Sequence, residues 1–265
     1  MTDVYSFSVG TTPLLVSVPH DGREIPADIS VRMTPAALQM PDTDWHVNEL
    51  YEFVGDIGAW VISANYSRYV IDLNRAATDE SLYEGQVATG LCPHKTFAGD
   101  NIYCDSAVVD AAEKKRRTAR FWKSYHERIG ATIVELRERY GYALLWDAHS
   151  IPSRVPRLFD GELPVLNIGT FDDRSCSPAV SADVVSIANA SSYETAINER
   201  FKGGHITRHY GDPQNNVHAV QLEIAQRAYM DESSGTFDNS KAATLRATLR
   251  AMLESFLYAA SNHRK

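Results

Sequence analysis

Short apolar runs recur along this chain, separated by longer stretches of mixed polarity. Continuous apolar runs that are bounded by turn-forming residues are typical of buried β-strands. We predict strands at residues 14–18 (LLVSV), 59–64 (AWVISA), 69–73 (YVIDL), 142–146 (YALLW), 164–169 (PVLNIG) and 217–224 (VHAVQLEI). The runs at 59–64 and 69–73 are read either as two separate strands or as one pair joined by a turn.

The stretches between these runs predict helices. Residues 107–140 carry apolar residues at helical spacing, and Gly141 follows them as a typical helix-ending residue. Further helices are predicted at residues 34–40, from Asp42 to Val54, at 178–200 and at 239–262. Residues 76–105 contain many turn formers and no clear periodicity, which predicts a long irregular loop of the kind that often serves function.

The alternation of strands and helices predicts an α/β fold with a mostly parallel, mixed sheet and helices on both faces. The chain has 265 residues, a length that fits one large domain. It shows no internal repeat, no low-complexity tract and no linker. We therefore expect a single domain over residues 1–265.

The composition of the chain limits the kinds of partner that we expect the protein to bind. The formal net charge is −8, whereas binding of nucleic-acid phosphates needs a basic face. Three cysteines without a C-x-x-C pair predict neither a disulfide framework nor a cysteine-rich zinc site. The first residues lack the pattern of a signal peptide, and no apolar run is long enough for a membrane span. We expect a cytoplasmic protein that acts on a small molecule, without nucleic-acid or membrane partners.

Histidines follow two of the predicted buried strands. The 14–18 run leads into His20, and the 142–146 run leads into His149. Ligands of open α/β sheets bind beyond the carboxyl ends of the strands, so these two histidines can meet in space. A single histidine is usually an ordinary surface or core residue, but two at corresponding strand ends form a candidate zinc site.

A catalytic zinc site takes three protein ligands and leaves a position for water, so a carboxylate is expected beside the histidines. The candidates near His20 are Asp21, Glu24, Asp42 and Asp44. Asp42 and Asp44 begin a predicted helix, and one of them is expected to serve as its N-cap instead. Asp147 would share a strand face with His149 and orient its imidazole, unless it belongs to a turn.

Glu223 lies inside the apolar run 217–224. A buried carboxylate is costly unless it is paired or functional, so Glu223 is a candidate general base for a water at the metal. The alternative is an edge strand on which Glu223 faces solvent. His218, near the start of the same run, is a further candidate for contact with the substrate.

Two arginines are candidates for binding a substrate carboxylate. Arg75 follows Asn74 after the 69–73 run, and Arg208 follows a Gly-Gly pair. Arginine can hold a carboxylate through two parallel hydrogen bonds, although on spacing alone a surface salt bridge is the more ordinary role for both. The chain has no P-loop, no G-x-G-x-x-G and no G-x-S-x-G, which argues against nucleotide binding and serine hydrolase chemistry.

Six motifs in a fixed order carry a resemblance to a known family. They are SVPHDGREIP, DTDWHVNELY, YSRYVIDLNRA, LLWDAHSIPS, FKGGHITRHYG and VHAVQLEIAQRAYMDE, between about residues 14 and 232. With these motifs the chain resembles the N-formylglutamate amidohydrolase (deformylase) family. The resemblance implies a fold similar to zinc carboxypeptidases and hydrolysis of N-formyl-L-glutamate to formate and L-glutamate, a step of histidine degradation.

The resemblance also implies a metal site that holds Zn²⁺ or another divalent transition metal. His20 and His149 match the metal-binding histidines of the family. The acidic ligand falls in the Asp42-Thr43-Asp44 segment, where we favour Asp44. Carboxypeptidases place a glutamate three residues after the first histidine, but Arg23 stands there in this chain. The carboxylate ligand is therefore expected from elsewhere.

Further roles follow from the same resemblance. The Asn74-Arg75 pair is similar to the pair with which carboxypeptidases hold a substrate carboxylate, and Glu223 is similar to their catalytic glutamate. Arg75 and Arg208 would then neutralise the two carboxylates of the substrate. Alternative hydrolase substrates are another N-acyl amino acid, such as formylaspartate, or a γ-glutamyl peptide. A non-catalytic amino-acid-binding protein on this scaffold is disfavoured because the candidate catalytic residues are present.

Overall fold

The computed structural model describes residues 3–80, 89–104 and 109–262, and in this part of the chain a seven-stranded sheet lies at the centre. Its strands are β1 (Tyr5–Ser8), β2 (Leu14–Val18), β3 (Trp60–Ala64), β4 (Ala143–Ile151), β5 (Leu166–Gly169), β6 (Thr195–Ile197) and β7 (Val217–Ala225). A separate hairpin pairs β8 (Met230–Asp231) with β9 (Thr236–Phe237).

Most neighbouring strands of the large sheet are parallel. The strand order is β1-β3-β2-β4-β7-β5-β6. The pairs β2–β3, β2–β4, β4–β7 and β5–β6 are parallel, whereas β1–β3 and β5–β7 are antiparallel. The prediction of an α/β fold with a mostly parallel, mixed sheet is therefore confirmed.

Helices cover both faces of this sheet, as predicted. They are α1 (Ala27–Ser30), α2 (Val47–Leu50), α3 (Ala111–Arg117), α4 (Lys123–Tyr140), α5 (Pro178–Ala190), α6 (His205–Tyr210) and α7 (Asn239–Asn262). On one face, Val184 of α5 and Leu249 of α7 share a hydrophobic cluster with Trp146 of β4. On the other face, Ile129 of α4 shares a second cluster with Leu145. The central strands are thus buried on both sides, which explains their continuous apolar runs.

Alternation along β4 and β7 places polar side chains on one face. Leu145 and Ala219 belong to the cluster under α4, so residues an even number of positions further along each strand point to the same side. His149 and Glu223 meet this condition and are paired in register. Because β4 extends to Ile151, His149 lies within the strand, not after its end as predicted.

The predicted strand at residues 69–73 is wrong. This segment forms turns, although its apolar side chains are buried in the cluster under α4. The hydrogen-bonding groups of its backbone pair with loop and helix residues. The N–H of Asp72 donates to Leu91 O at 2.7 Å, and Arg117 donates to Val70 O at 2.9 Å. A buried loop and a buried strand have the same apolar pattern when the run is short.

Several predicted helices are shorter than expected. The 178–200 segment is helical only over α5, and part of its remainder forms β6. The 34–40 segment contains only a 3₁₀ turn, Ala37–Gln39. The segment from Asp42 to Val54 becomes α-helical only at Val47, because His46 has a left-handed backbone with φ of 62°.

The longest predicted helix is present with a local irregularity. Within 107–140, positions 107–108 lie outside the described residues, and α3, a π-helical turn (Thr118–Trp122) and α4 follow one another. Gly141 ends α4 with φ of 84°, as predicted.

The described part of the 76–105 loop contains no helix or extended strand, also as predicted. None of the described helices has the length and apolarity needed to cross a membrane.

Candidate active site

Two histidines and an aspartate meet where β2 and β4 end. His20 follows β2, His149 lies on β4, and Asp44 precedes α2. One ligand atom from each residue lies within 4.8 Å of the other two. Asp44 Oδ2 is 3.0 Å from His149 Nδ1 and 3.7 Å from His20 Nδ1. All three residues are buried. The fold therefore brings together the two histidines and the carboxylate that we favoured from the sequence.

The imidazole of His20 is oriented by Asp72. Its Nε2 lies 2.8 Å from Asp72 Oδ1, so a proton on Nε2 is donated to the carboxylate. Its Nδ1 then carries a lone pair, and this buried atom has no hydrogen-bond partner among the described residues. Buried polar atoms are nearly always satisfied. An unpartnered imidazole nitrogen beside a carboxylate and a second imidazole fits the role of a metal ligand.

The imidazole of His149 lies against Asp147 and Asn74. Its Nε2 is 3.1 Å from Asp147 Oδ1 and 2.8 Å from Asn74 Nδ2. The Asn74 amide donates to the other oxygen of Asp147 and accepts from the Ile206 N–H. Because the Asn74 oxygen accepts from Ile206, its amide nitrogen is the donor to Nε2 of His149, while Asp147 Oδ1 is buried without a hydrogen-bond partner in the described ranges. The other nitrogen, Nδ1, is then directed toward Asp44.

Arg68 connects the carboxylates of Asp44 and Asp72. Its guanidinium donates to Asp72 Oδ2 at 2.7 Å and lies 3.5 Å from Asp44 Oδ1. The guanidinium carbon also lies 4.9 Å from the centre of the Phe97 ring. Asp44 thus presents Oδ2 to the histidines while Arg68 holds Oδ1. Arg68 and Asp72 were not predicted from the sequence, because their roles depend on partners that are distant along the chain.

Electrostatic interactions keep the carboxylates of this cluster ionised. Burial alone would raise the pKa values of Asp44 and Asp72, but the surrounding histidines and arginines hold both below their ordinary range. Burial alone would lower the pKa of His149, yet the carboxylates of Asp147 and Asp44 raise it well above its ordinary value. The site therefore favours a cation between its carboxylates, and a metal ion that binds there must displace the imidazole proton.

The other candidate carboxylates have different partners. Asp21 accepts a hydrogen bond of 2.8 Å from the N–H of Asn48 in the first turn of α2. Asp42 accepts one of 2.8 Å from a backbone N–H of the 89–104 segment. Glu24 is exposed. The expectation that Asp42 or Asp44 caps the helix is wrong, because neither side chain caps α2.

Glu223 faces the metal-ligand group from the neighbouring strand. It lines the same pocket as His149, and its strand β7 lies between β4 and β5. The alternative of an edge strand with Glu223 facing solvent is therefore wrong. Its carboxylate forms no hydrogen bond with residues in the described part of the chain, and burial raises its pKa to about 8. A buried, unpartnered carboxylate beside a candidate metal site has the environment of a general base.

Cationic and apolar side chains complete the pocket. Among the described residues, those that line it beyond the metal-ligand group include Arg68, Asn74, Arg75, Arg200, Phe97, Ile151, Leu158 and Phe201. The Arg75 guanidinium is fixed there by hydrogen bonds of 2.8 and 2.9 Å to the carbonyl and hydroxyl oxygens of Thr89. The fold thus brings Asn74 and Arg75 to the pocket.

Arg208 has a different environment. Its Nε donates to Gly203 O at 2.7 Å, and its guanidinium carbon lies 4.4 Å from the centre of the Phe171 ring. Within the described ranges, the pocket lining includes Arg200 but not Arg208. The expected contact of Arg208 with the substrate therefore finds no support here. The place of Arg200 in the pocket lining was not predicted from the sequence, because the residues around it carry no local signal of a binding site.

His218 also lies away from the pocket. It is buried, and its Nδ1 accepts a hydrogen bond of 3.2 Å from the Ser177 N–H. It stands five positions before Glu223 on β7, so the two side chains point to opposite faces and are separated by roughly 16 Å along the strand. The expected contact of His218 with the substrate finds no support in this placement.

The donor set fits a divalent transition metal. Two imidazole nitrogens and one carboxylate oxygen form a common ligand set of catalytic zinc sites, which leave a further position open. Both imidazoles have a carboxylate beside their other nitrogen, the arrangement that orients metal-binding histidines. His20, Asp44 and His149 are thus the residues that could hold a metal ion here.

Replacement of Asp72 by asparagine is expected to weaken metal binding. The substitution removes the charged acceptor of the His20 Nε2 proton and the counterion of Arg68. Loss of such a partner typically costs about 10–100-fold in metal affinity. Competition with a chelator of known affinity measures this change, with Asp28→Asn on the surface as the control. An unchanged affinity in Asp72→Asn would refute the orienting role of Asp72.

Comparison with known proteins gives the family of this chain. The family model described as N-formylglutamate amidohydrolase matches residues 12–230. Two curated relatives are named N-formylglutamate deformylase. The Pseudomonas putida protein is 44% identical over 259 residues, and the Pseudomonas aeruginosa protein is 46% identical over 259 residues. Each alignment covers 97% of this chain and 97% of the relative.

Solved structures support the same fold. The crystal structure of N-formylglutamate amidohydrolase from Ralstonia eutropha JMP134 has a TM-score of 0.82 at 23% identity, covering 96% of this chain and 98% of the other. That of gene product Atu2144 from Agrobacterium tumefaciens has a TM-score of 0.74 at 18% identity, covering 96% of both chains. At these identities the structures establish the fold, while the family model and the curated relatives establish descent. The chain belongs to the N-formylglutamate amidohydrolase family.

Proposed function

We propose that this protein hydrolyses N-formyl-L-glutamate to formate and L-glutamate. The observation that carries the proposal is the buried His20–Asp44–His149 group with Glu223 beside it in one pocket. The relatives that are named N-formylglutamate deformylase supply the substrate. An amide hydrolase needs an electrophile for the carbonyl and a base for the water, and this pocket offers residues for both.

His20, Asp44 and His149 are the proposed ligands of Zn²⁺ or another divalent transition metal. Such an ion, when bound, polarises a carbonyl and lowers the pKa of water. The protein contributes the orientation of the ligands: Asp72 and Asp147 lie beside the outer imidazole nitrogens. Arg68 balances part of the negative charge of Asp44 and Asp72, which lets both carboxylates remain ionised in a buried site.

Glu223 is the proposed general base. In its ionised form it takes a proton from the attacking water, so that the water oxygen can bond to the formyl carbon. It then returns the proton to the amide nitrogen as the C–N bond breaks, and L-glutamate leaves with a neutral amine. The raised pKa of Glu223 suits this exchange, because a carboxyl group of ordinary pKa would hold the proton poorly between the two steps.

Arg75 is the proposed partner of the substrate α-carboxylate. This carboxylate is attached to the carbon next to the amide nitrogen, so it must bind close to the reacting atoms. Arg75 satisfies this requirement, because the adjacent Asn74 lies 2.8 Å from His149 Nε2. Its guanidinium is held by Thr89 and by the backbone oxygen of Asn74, which preorganises it for a carboxylate.

Metal removal and a substrate panel test the proposed function. Protein treated with a chelator should lose formate release from N-formyl-L-glutamate and regain it when Zn²⁺ is added back. Among N-formyl-L-glutamate, N-formyl-L-aspartate, N-acetyl-L-glutamate and a γ-glutamyl dipeptide, the first should have the highest kcat/KM. Full activity in metal-free protein would refute the metal role, and a higher kcat/KM for another compound would refute the substrate.

A further inference from the structure

We propose that Gln221 binds the α-carboxylate of the substrate together with Arg75. The donor is the side-chain amide nitrogen of Gln221, Nε2. The inference rests on the proposed hydrolysis of N-formyl amino acids and adds a substrate-binding residue to it.

Gln221 is a buried glutamine of the pocket lining, with 4% of its surface exposed. It stands two positions before Glu223 on β7, so both side chains point to the same face of the sheet. In the register of β4 and β7, Asp147 is opposite Gln221 and His149 is opposite Glu223. Gln221 therefore lies about 7 Å along the strand from the proposed general base.

A backbone donor fixes the orientation of the Gln221 amide. The N–H of Gly204 donates to Oε1 of Gln221 at 2.6 Å. A backbone N–H needs an acceptor, so this position is that of the amide oxygen, and the other atom of the amide is the nitrogen. Within the ranges that the structure describes, Nε2 donates to no acceptor. Because a buried donor is nearly always paired, Nε2 is suited to bind a ligand of the pocket.

Backbone contacts connect Gln221 to Arg75. Gly204, which donates to Gln221, packs closely on Asn74, since a Cβ atom on Gly204 would lie 2.3 Å from Asn74 Nδ2. The N–H of His205 donates to Asn74 O at 3.3 Å. The same oxygen accepts from Arg75 Nη1 at 2.9 Å. The Gln221 amide and the Arg75 guanidinium are thus held by one set of contacts between Asn74 and residues 204–205.

The α-carboxylate of the substrate fits this pair of donors. It must bind close to the reacting formyl carbon, because only the amide nitrogen and the α-carbon separate the two. Gln221 and Arg75 both lie near the metal-ligand group, as Asn74 is 2.8 Å from His149 Nε2. A carboxylate accepts at more lone-pair positions than one arginine fills. The Gln221 amide supplies a further donor there and adds no charge to the buried site.

The test separates the donor of Gln221 from its acceptor. Gln221→Met removes both at similar size. Gln221→Glu keeps an oxygen for the Gly204 N–H but replaces the donor by a second oxygen. The substrates are N-formyl-L-glutamate, N-formyl-L-isoglutamine and N-formyl-L-glutamine. The second carries a carboxamide in place of the α-carboxylate, and the third carries one in place of the side-chain carboxylate.

The proposal predicts losses that follow the α-carboxylate. Gln221→Met should lose about 10–100-fold in kcat/KM for N-formyl-L-glutamate, the range for a hydrogen bond to a charged group. The loss should lie mainly in KM, because this bond is present both before and during the reaction. Gln221→Glu should lose at least as much on N-formyl-L-glutamate and N-formyl-L-glutamine, since both present an α-carboxylate to the new oxygen.

N-formyl-L-isoglutamine should behave differently, because its carboxamide can donate to the new oxygen of Gln221→Glu. Its kcat/KM in this variant should stay within about threefold of wild type. Where turnover of this compound is too slow, its inhibition constant against N-formyl-L-glutamate replaces kcat/KM.

Gln214→Glu is the matched control for the added charge. Gln214 lies on the 3₁₀ turn Pro213–Asn215, is exposed, and is not in the pocket lining of the described residues. Its substitution should leave the kinetics of all three substrates unchanged.

The outcomes separate this inference from the proposed function. Equal losses on all three substrates in folded Gln221→Glu, or no loss, would overturn the role of Gln221 alone. A loss that spares N-formyl-L-glutamine instead would assign Gln221 to the side-chain carboxylate and overturn the proposal as well. If one variant does not fold, the other decides, because the two α-carboxylate substrates must lose more than N-formyl-L-isoglutamine. Failure of metal-loaded wild type to hydrolyse any N-formyl amino acid would refute the proposed function itself.

Discussion

Glu223→Gln is expected to lower kcat for N-formyl-L-glutamate by about 10²–10⁴-fold, the usual contribution of general acid–base catalysis. Glutamine has nearly the same shape as glutamate, but its amide cannot take the proton of the attacking water. KM should change little, because Glu223 is proposed to act on the water and not on the substrate carboxylates. Steady-state kinetics of the metal-loaded variant measure both constants.

Metal content distinguishes this effect from damage to the site. Glu223 is not a proposed ligand, so the variant should hold as much metal as wild type when both are analysed by atomic emission. Glu232→Gln would be an unsuitable control, because Glu232 accepts structural hydrogen bonds from Ser153. Glu52→Gln, at the solvent-exposed start of a 3₁₀ turn, is the better one. Retention of wild-type kcat by Glu223→Gln would refute the assignment of the base.

His149→Ala is expected to abolish both metal binding and hydrolysis. The substitution removes one of three proposed ligands, and with it the imidazole that lies between the buried carboxylates of Asp44 and Asp147. The purified variant should contain almost no metal after dialysis. Its formate release should fall to the rate of the metal-free wild type, because the remaining two ligands cannot hold the ion in place.

Thermal unfolding provides a second measurement that does not depend on activity. At a Zn²⁺ concentration of about 100 times Kd, binding stabilises the folded protein by about 2.7 kcal/mol, so Tm of wild type should rise when metal is added. His149→Ala should show no such rise, whereas His94→Ala, at an exposed position, should behave as wild type. A metal-dependent rise in Tm that survives in His149→Ala would place the metal elsewhere.

The sequence predicted the central strands and the two histidines well, for a local reason. A strand that is buried on both faces needs a continuous apolar run. The apolar runs along the sequence were therefore enough to locate β2, β3, β4, β5 and β7. The polar residues that follow the apolar runs of β2 and β4 directed attention to His20 and His149, although β4 itself continues to Ile151. The resemblance to a family then supplied a reaction, and the family assignment is confirmed.

The apolar pattern gave a wrong prediction where the backbone forms its hydrogen bonds with residues far away along the chain. The buried loop at 69–73 was predicted as a strand, since its apolar side chains are covered just as those of a strand would be. Its carboxylate, Asp72, was consequently not recognised as the partner of His20. Asp44 was favoured over Asp42 only through the resemblance, and the spacing of the segment left both open.

What the sequence by itself determined is the set of elements and a short collection of chemically suitable side chains. The tertiary structure decided which of these side chains meet. In the folded chain, Asp44 lies beside both histidines, whereas Asp42 accepts a hydrogen bond from the 89–104 segment. Within the described residues, the pocket lining includes Arg200 and not Arg208. The physical reason is that apolar periodicity reports burial of each segment separately, whereas a site depends on distances between segments that only the packed sheet and its loops establish.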